Sequence, residues 1–197
     1  MKKILFIILL LCIASKLFAN GRMQHVVTLT ITSQSYNHDL PWQKLSFKKK
    51  KYYGCIVKDN LIVTMAYGLK NHVLIEVSKH GSTKKYEAKI LAKDYFSGLA
   101  VLKVSDSSFF NNTKPADILK PVSLINRNVK ITKWDSRGSF KEFKAEVIKN
   151  AIQLYEPNCP VVMHHMYTSM TDGGTGEPVF LGNKLAGIAT TYDSNSK

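Results

Sequence analysis

The sequence is poor in cysteine and in carboxylates, and beyond its first twenty residues no segment carries a sustained helical stripe. Its 197 residues include 3 cysteines, and 14 acidic residues stand against 28 lysines and arginines. The cysteine spacing matches no metal signature, so we predict neither a metal site nor a cofactor. Internal repeats are absent, and a run of four lysines is the one low-complexity tract. Without a 3.6-residue periodicity the chain is expected to be all-β.

The first twenty residues have the features of a secretory signal. Two lysines precede an apolar run over residues 4–14, and a small residue, Ala19, ends the segment. A membrane-spanning helix needs about 20 apolar residues, and Lys16 interrupts this run too early. We therefore expect residues 1–19 to be a signal peptide and the mature protein to be periplasmic or secreted.

The cysteines leave two possibilities open. Lipid attachment at Cys12 is a weak alternative to cleavage, because a leucine rather than a small residue precedes it. Cys55 and Cys159 remain in the mature chain. An oxidising compartment would allow them to form a disulfide, but sequence alone does not show whether they lie close enough.

The charge is strongly positive and has one concentrated source. Signal cleavage would remove three lysines and lower the net charge from +14 to +11. Such a surplus favours anionic lipid, acidic polysaccharide or nucleic acid, and export argues against nucleic acid. The densest basic feature consists of Lys48, Lys49, Lys50 and Lys51. It is either a patch for an anionic surface or a solvated loop between two strands, and we favour the loop.

Short alternating runs predict strands throughout the mature chain. Six fall in the first half, with Asp59-Asn60 as a hairpin turn between the second and third: residues 27–32, 53–57, 61–64, 73–77, 86–92 and 99–104. A polar connection over residues 107–121 follows. Seven more runs follow it: residues 122–124, 129–131, 143–148, 151–155, 161–166, 178–181 and 185–190. We predict two six-stranded antiparallel β-barrels, 26–105 and 121–191, within a domain spanning 20–197.

Three runs resemble the HtrA/Deg serine proteases, a trypsin-like family. Residues 60–69 (NLIVTMAYGL) are similar to the strand that delivers the catalytic histidine, whose position holds Tyr67. Residues 92–104 resemble the run that carries the catalytic aspartate, whose position holds Gly98. Residues 172–180 (DGGTGEPVF) resemble the nucleophile loop, with Thr175 at the serine position. The resemblance implies a trypsin-like double barrel.

Other features place the resemblance within the family. Pro41-Trp42-Gln43 and the run 53–57 look like the plant-type Deg branch. The family usually continues into a PDZ domain close to where this chain stops, so we expect that module to be missing.

The three substitutions remove the chemistry that a serine protease needs. A serine-type nucleophile requires a base and a third group that orients it. A tyrosine at position 67 is a poor proton acceptor at neutral pH, and Gly98 has no side chain. Thr175 keeps a hydroxyl with an added methyl group. The backbone of Gly173 and Thr175 is expected to retain an oxyanion-hole shape, although the carboxylate of Glu177 beside it would repel an oxyanion.

No other histidine has the spacing of a catalytic base. His72 lies eight residues beyond Thr64, where the motif needs three. His164 and His165 are adjacent in a predicted strand and point to opposite faces. The remaining histidines sit in polar surroundings and are predicted to be exposed: His25, His38 and His80.

We therefore expect an exported, proteolytically inactive homologue of the trypsin-like proteases that binds a protein, a peptide or an anionic surface. An endopeptidase with an atypical site at Thr175 is the alternative. We expect no nucleic acid partner, and the sequence leaves the oligomeric state open.

Overall fold

The structure is a computed structural model that describes residues 24–135, 137–154 and 160–190. Over these ranges the regular elements are eleven β-strands and three short 3₁₀ turns, which confirms the all-β prediction. No helix in the described ranges is long and apolar enough to cross a membrane. The predicted signal peptide and Cys159 lie outside the described residues.

The first six strands form a closed barrel in the order β1-β2-β3-β6-β5-β4. Their bounds are β1 Val26–Ser33, β2 Lys48–Val57, β3 Leu61–Met65, β4 His72–Ser78, β5 Tyr86–Asp94 and β6 Leu99–Val104. Alternation explains the fold directly, because Val27, Leu29 and Ile31 of β1 all face the buried core. All six predicted strands are confirmed.

One expectation about this barrel is wrong. Lys48 to Lys51 lie in strand β2 rather than in a loop, and they pair with Ser33 to Thr30 of β1. All four lysines are nevertheless exposed. These four lysines, called the lysine tetrad below, form a strand because β1 supplies their hydrogen-bonding partner. On the other side of β2, β3 pairs only with Gly54 to Val57.

The second half forms an antiparallel sheet of five described strands in the order β11-β10-β7-β8-β9, where six were predicted. Its strands are β7 Asn128–Trp134, β8 Phe140–Leu154, β9 Pro160–Thr168, β10 Thr175–Leu181 and β11 Lys184–Thr190. Two of the predicted runs are one strand: Lys149 and Asn150 continue β8 through a register shift. Residues 122–124 are not a strand.

A separate apolar cluster joins the barrel to the sheet. Phe180 of β10 is fully buried among Cys55, Val57, Ala116 and Leu185. The predicted connection, residues 107–121, contributes Ala116 to this cluster, and Ala116 N donates a hydrogen bond to Ile56 O at 2.8 Å. Cys55 is free among the described residues, and burial raises the pKa of its thiol. A disulfide with Cys159, which the sequence left open, is not tested, because Cys159 lies outside the described residues.

Candidate active-site region

Two turns of the barrel bring the positions of Tyr67 and Gly98 together. Strand β3 ends at Met65, and the chain enters a 3₁₀ turn over Tyr67–Leu69. Ala66 N donates to Gly98 O at 2.8 Å, which ties this turn to the one preceding β6. Gly98 has a φ of 70°. A positive φ of this size favours glycine. The residue at the position of the family's catalytic aspartate therefore has a backbone conformation that suits a residue without a side chain.

Tyr67 is accessible and packs close to a second tyrosine. Its side chain is 43% exposed. Burial raises the pKa of Tyr52, and the neighbouring Tyr67 raises it further. A Cβ on Gly68 would lie 2.8 Å from the Tyr52 ring, so the turn that carries Tyr67 rests directly on that ring.

The loop before β10 reaches the barrel through a glycine. Gly176 has a φ of 92°, and an added Cβ would lie 2.6 Å from Tyr53 O and 3.3 Å from Thr64 Oγ1. Thr64 Oγ1 itself donates to Tyr53 O at 2.7 Å. The close approach sets Gly176, the residue after Thr175, beside Thr64 of β3, which is three residues before Tyr67.

Glu177 is the central side chain of this loop. It is 0% exposed. Its Oε2 accepts hydrogen bonds from Gly174 N at 2.9 Å and Thr175 N at 2.7 Å. Its Oε1 accepts from Thr175 Oγ1 at 3.0 Å. The carboxylate therefore engages the hydroxyl at the serine position and the amide that was predicted to serve an oxyanion hole.

The other predicted oxyanion-hole residue lies against a methionine. A Cβ on Gly173 would fall 1.9 Å from the Cε atom of Met170, so the glycine allows Met170 to pack over the loop. Sequence reasoning anticipated a repulsive carboxylate at Glu177. It did not anticipate that the side chain would fold back onto its own loop, because the sequence carries no signal for that rotamer.

A buried lysine that the sequence reading missed fixes the start of the loop. The Lys133 side chain is 6% exposed, and its Nζ lies 2.8 Å from Asp172 Oδ1. The same Nζ donates to the Asp172 carbonyl at 2.8 Å. These contacts lower the pKa of the Asp172 carboxyl, with the hydrogen bond as the larger cause. Lys133 thus anchors the loop on the sheet side while Gly176 seats it on the barrel side.

A cavity of about 470 Å³ lies beside these positions. Met65, Gly98 and Leu99 line it from the barrel, and Gly173 and Gly174 line it from the loop. The remaining lining comes from strands β7 to β11 and from the segments before β7 and β10. It also includes His164 and His165 of β9, but it is mainly apolar: Leu124, Val129, Ile131, Val147, Val162, Met163, Met166, Met170, Val179, Ala186, Ile188 and Ala189. The arrangement offers an apolar recess next to Gly98 and to the loop that precedes Thr175.

His72 and His164 form hydrogen bonds with residues other than Thr175, and His164 and His165 line the cavity together with Gly173 and Gly174. His72 Nδ1 lies 3.0 Å from the Leu69 carbonyl. His164 is exposed and contacts the side-chain oxygen of Asn150 across β8 and β9. His164 and His165 are consecutive residues of β9, as predicted. No group of three or more potential metal ligands occurs among the described residues.

Two histidines predicted to be surface residues make specific contacts. His25 is half-buried, bonds the Lys114 carbonyl through Nδ1 and packs against the Phe180 ring. Burial lowers its pKa. His80 is exposed but stacks on Trp134, with 3.5 Å between ring centroids. His38 is exposed as expected.

Sequence relatives of the chain are Do-like proteases. Do-like 13 of Arabidopsis thaliana is 28% identical over 175 residues, which cover 85% of this chain and 35% of that protein. A serine protease DegP homolog of Plasmodium falciparum is 26% identical over 164 residues, covering 83% and 19% respectively. The chain thus spans about a third or less of the length of these relatives. No protein-family model matches it.

Solved structures show the same fold. The active form of the Rv3671c protease from M. tuberculosis aligns with a TM-score of 0.69 at 16% identity, covering 90% of this chain and 74% of that one. The MamO protease domain from Magnetospirillum magneticum aligns with a TM-score of 0.64 at 15% identity, covering 90% and 89%. The chain therefore has the fold of a trypsin-like protease domain and is similar in sequence to Deg/HtrA-type proteases.

Proposed function

We propose that this domain binds a polypeptide segment without cleaving it. The observation that carries the proposal is the buried carboxylate of Glu177, which accepts from Gly174 N, Thr175 N and Thr175 Oγ1 at once. An oxyanion formed at this loop would compete for the Thr175 amide and would develop beside a fixed negative charge. Acyl transfer depends on free donors at that point.

The other catalytic positions support the same conclusion. Position 67 offers a phenol in place of an imidazole, and position 98 offers no side chain. Loss of a triad typically removes about six powers of ten in turnover, leaving binding and oxyanion stabilisation. In this chain the Glu177 carboxylate also removes much of the oxyanion stabilisation.

The apolar cavity supports binding as the remaining role. It has about the volume of a small ligand pocket, 470 Å³, and opens beside the loop that in a protease faces the substrate backbone. We infer that an extended segment lies against Gly173 and Gly98 and places an apolar side chain in the recess. The N-terminal segment supports a location outside the cytoplasm, periplasmic or secreted, as part of this proposal.

The alternative, an endopeptidase that uses Thr175, draws on one contact. Thr175 Oγ1 lies 3.0 Å from Glu177 Oε1, which is the distance between a nucleophile and a base. We favour binding because the same carboxylate occupies the donors that the resulting oxyanion would need.

Activity measurements separate the two functions. The mature protein, residues 20–197, is incubated with a fluorophosphonate probe and with labelled, unfolded casein. We expect no labelling and no cleavage, with wild type and Thr175→Ala indistinguishable. Cleavage by wild type that Thr175→Ala abolishes would overturn the proposal and establish Thr175 as a nucleophile.

A second measurement tests binding itself. Fluorescence anisotropy with the unfolded casein should show binding to both wild type and Thr175→Ala. Ala186→Trp, which fills the recess, should weaken that binding about tenfold or more, the equivalent of about 1.4 kcal/mol. Val122→Trp is the matched control, since Val122 is 50% exposed and lies outside the cavity lining. Equal affinities for the two tryptophan variants would exclude the recess as the binding site.

A further inference from the structure

Residues 34–47 form an ordered arm between β1 and β2. Leu45 N donates to Ser35 O at 2.8 Å, Tyr36 forms a β-bridge with Lys44, and Asn37 N donates to Gln43 O at 2.8 Å. Gln43 N donates to Leu40 O at 2.8 Å and closes the tip. Pro41 occupies the second position of that turn, where its fixed φ is favourable. The arm therefore prolongs the β1–β2 hairpin beyond the barrel.

The arm leaves large apolar side chains in water. The exposed fractions are 80% for Trp42, 60% for Phe47, 57% for Tyr36, 42% for Leu45 and 40% for Leu40. Single exposed apolar residues are ordinary, but a group of this size on one short segment marks an interaction surface. Burial of such area is favourable by about 25 cal/mol per Å².

A dense positive charge adjoins these side chains. The arm runs directly into Lys48–Lys51, whose four side chains are all exposed. Within the described ranges, no ion pair engages any of these four lysines. Lys44 adds a fifth positive charge, and Asp39 is the one carboxylate of the arm. The occupant of this surface must therefore be anionic and must also offer an apolar phase.

We propose that the arm and the lysine tetrad dock this domain on a membrane surface that contains anionic phospholipid. Tryptophan and tyrosine favour the interfacial region of a bilayer, because their rings are apolar and their N–H or O–H groups stay hydrated. Each lysine near an anionic leaflet is attracted to the negatively charged lipid headgroups. A soluble acidic polysaccharide would satisfy the lysines and leave Trp42 and Leu40 in water.

An alternative role for the four lysines is to protect the edge of β2, and it explains fewer features of the structure than membrane docking does. The stretch 48–53 of β2 has β1 on one side, while β3 pairs only from Gly54 onward. Lysines on an unpaired edge prevent pairing with other chains. That role accounts for the tetrad alone. It gives no reason for a turn that displays Leu40 and Trp42 at its tip.

The spacing indicates how the arm lies on the bilayer. Lys48 follows Trp42 by six positions, and an extended segment of six residues spans about 20 Å. Apolar side chains occur at the tip, Leu40 and Trp42, and at the base, Tyr36 and Phe47. The arm is therefore expected to lie along the interface, where its rings enter the headgroup region. Side chains alternate along β2, so Lys48 and Lys50 lie on one face and Lys49 and Lys51 on the other, and their long, flexible stems let both pairs reach lipid phosphates at this edge.

Vesicle sedimentation tests the docking surface independently of peptide binding. The mature protein is mixed with vesicles of phosphatidylcholine alone or of phosphatidylcholine with phosphatidylglycerol. We expect binding to the anionic vesicles only. Trp42→Ser should weaken it about tenfold. The combined variant Lys48→Gln, Lys49→Gln, Lys50→Gln and Lys51→Gln should weaken it about a hundredfold or more.

A matched variant separates the tetrad from net charge. Lys89→Gln, Lys103→Gln, Lys149→Gln and Lys184→Gln together remove the same charge from exposed positions on other strands. This variant should retain nearly all binding. An equal loss from both quadruple variants would overturn the proposal, because net charge alone would then explain association. Absence of vesicle binding, or tight binding to dextran sulfate without vesicle binding, would also overturn it.

Tryptophan fluorescence gives a second readout. The protein has 2 tryptophans, and Trp134 is buried whereas Trp42 is exposed. Anionic vesicles should shift the emission of wild type to shorter wavelength and leave Trp42→Ser unchanged. Thermal melts of all variants should coincide with wild type, since only exposed side chains are altered. A shift that persists in Trp42→Ser would contradict insertion of the arm.

Discussion

The strands pair antiparallel both in the barrel of β1–β6 and in the sheet of β7–β11, but only the barrel is closed. In the barrel every strand has two hydrogen-bonded neighbours, whereas β9 and β11 are edges of the described sheet. The closed barrel packs a continuous core around Leu29, Ile62 and Leu102, all fully buried. The open sheet lines a cavity of about 470 Å³ with its inner face. The closed barrel therefore has a filled core, whereas the open sheet borders a cavity.

The junction between the two halves should be the most sensitive part of the molecule. Phe180 is fully buried where both halves meet. Phe180→Ala should lower the free energy of unfolding by about 3–5 kcal/mol, because a large cavity opens between barrel and sheet. Urea denaturation measures the change. Ile152→Ala on the exposed face of β8 is the control and should cost less than about 0.5 kcal/mol. Similar losses in both variants would mean that Phe180 does not join the halves.

The contact of the Thr175 loop with the barrel should come next. Gly176→Ala places a methyl 2.6 Å from Tyr53 O at a φ of 92°. We expect destabilisation by about 2–4 kcal/mol, from backbone strain together with the clash. Gly187→Ala has open space around its added Cβ and should be nearly neutral. Chemical denaturation of the two variants side by side checks this, and a well-tolerated Gly176→Ala would show that the loop can leave the barrel.

The same contrast between the halves explains how far the sequence could be interpreted. Alternation in a closed barrel produces clean signals, and all six strands of 26–104 were found. In the sheet, Lys149 and Asn150 fall between two predicted runs but continue β8, because a strand whose outer face meets water tolerates polar residues there. The Lys48–Lys51 run was predicted to be a loop because four consecutive charged residues show no alternation of apolar and polar side chains. Its strand state comes from pairing with β1, which a local pattern does not contain.

The site shows the same limit. The assignment of Tyr67, Gly98 and Thr175 to the three catalytic positions comes from the motifs and stays a prediction. The structure ties the turn of Tyr67 to Gly98 and brings Gly176, next to Thr175, close to Tyr53 and Thr64. The hydrogen bonds of Glu177 and the buried Lys133 depend on side-chain rotamers and on a strand distant in sequence. Neither leaves a spacing that a motif could detect.

Core packing should differ between the halves by a smaller amount. Ala100 is 0% exposed in the barrel core, and Ala189 is 5% exposed at the cavity. Ala100→Val should destabilise by about 1–3 kcal/mol through overpacking. Ala189→Val should change stability by less than about 0.5 kcal/mol, because the cavity accepts the added methyl groups. Denaturation midpoints measure both. Equal costs would indicate that the sheet is packed as tightly as the barrel.

The smallest expected effect is a pH dependence at the junction. Burial lowers the pKa of His25 from 6.5 in the folded state, although its bond to the Lys114 carbonyl acts in the opposite direction. Between the lowered pKa of folded His25 and the unfolded pKa of about 6.5, the unfolded chain binds more protons than the folded one. The contribution of His25 to the free energy of unfolding is therefore complete above about pH 6.5 and declines as the pH falls below it. His25→Gln should therefore flatten the decrease in melting temperature between about pH 8 and about pH 5, measured calorimetrically. Burial also lowers the pKa of His80, so some slope should remain. His38→Gln, on the exposed arm, should retain the wild-type slope, and an unchanged slope in His25→Gln would show that this histidine contributes nothing to acid sensitivity.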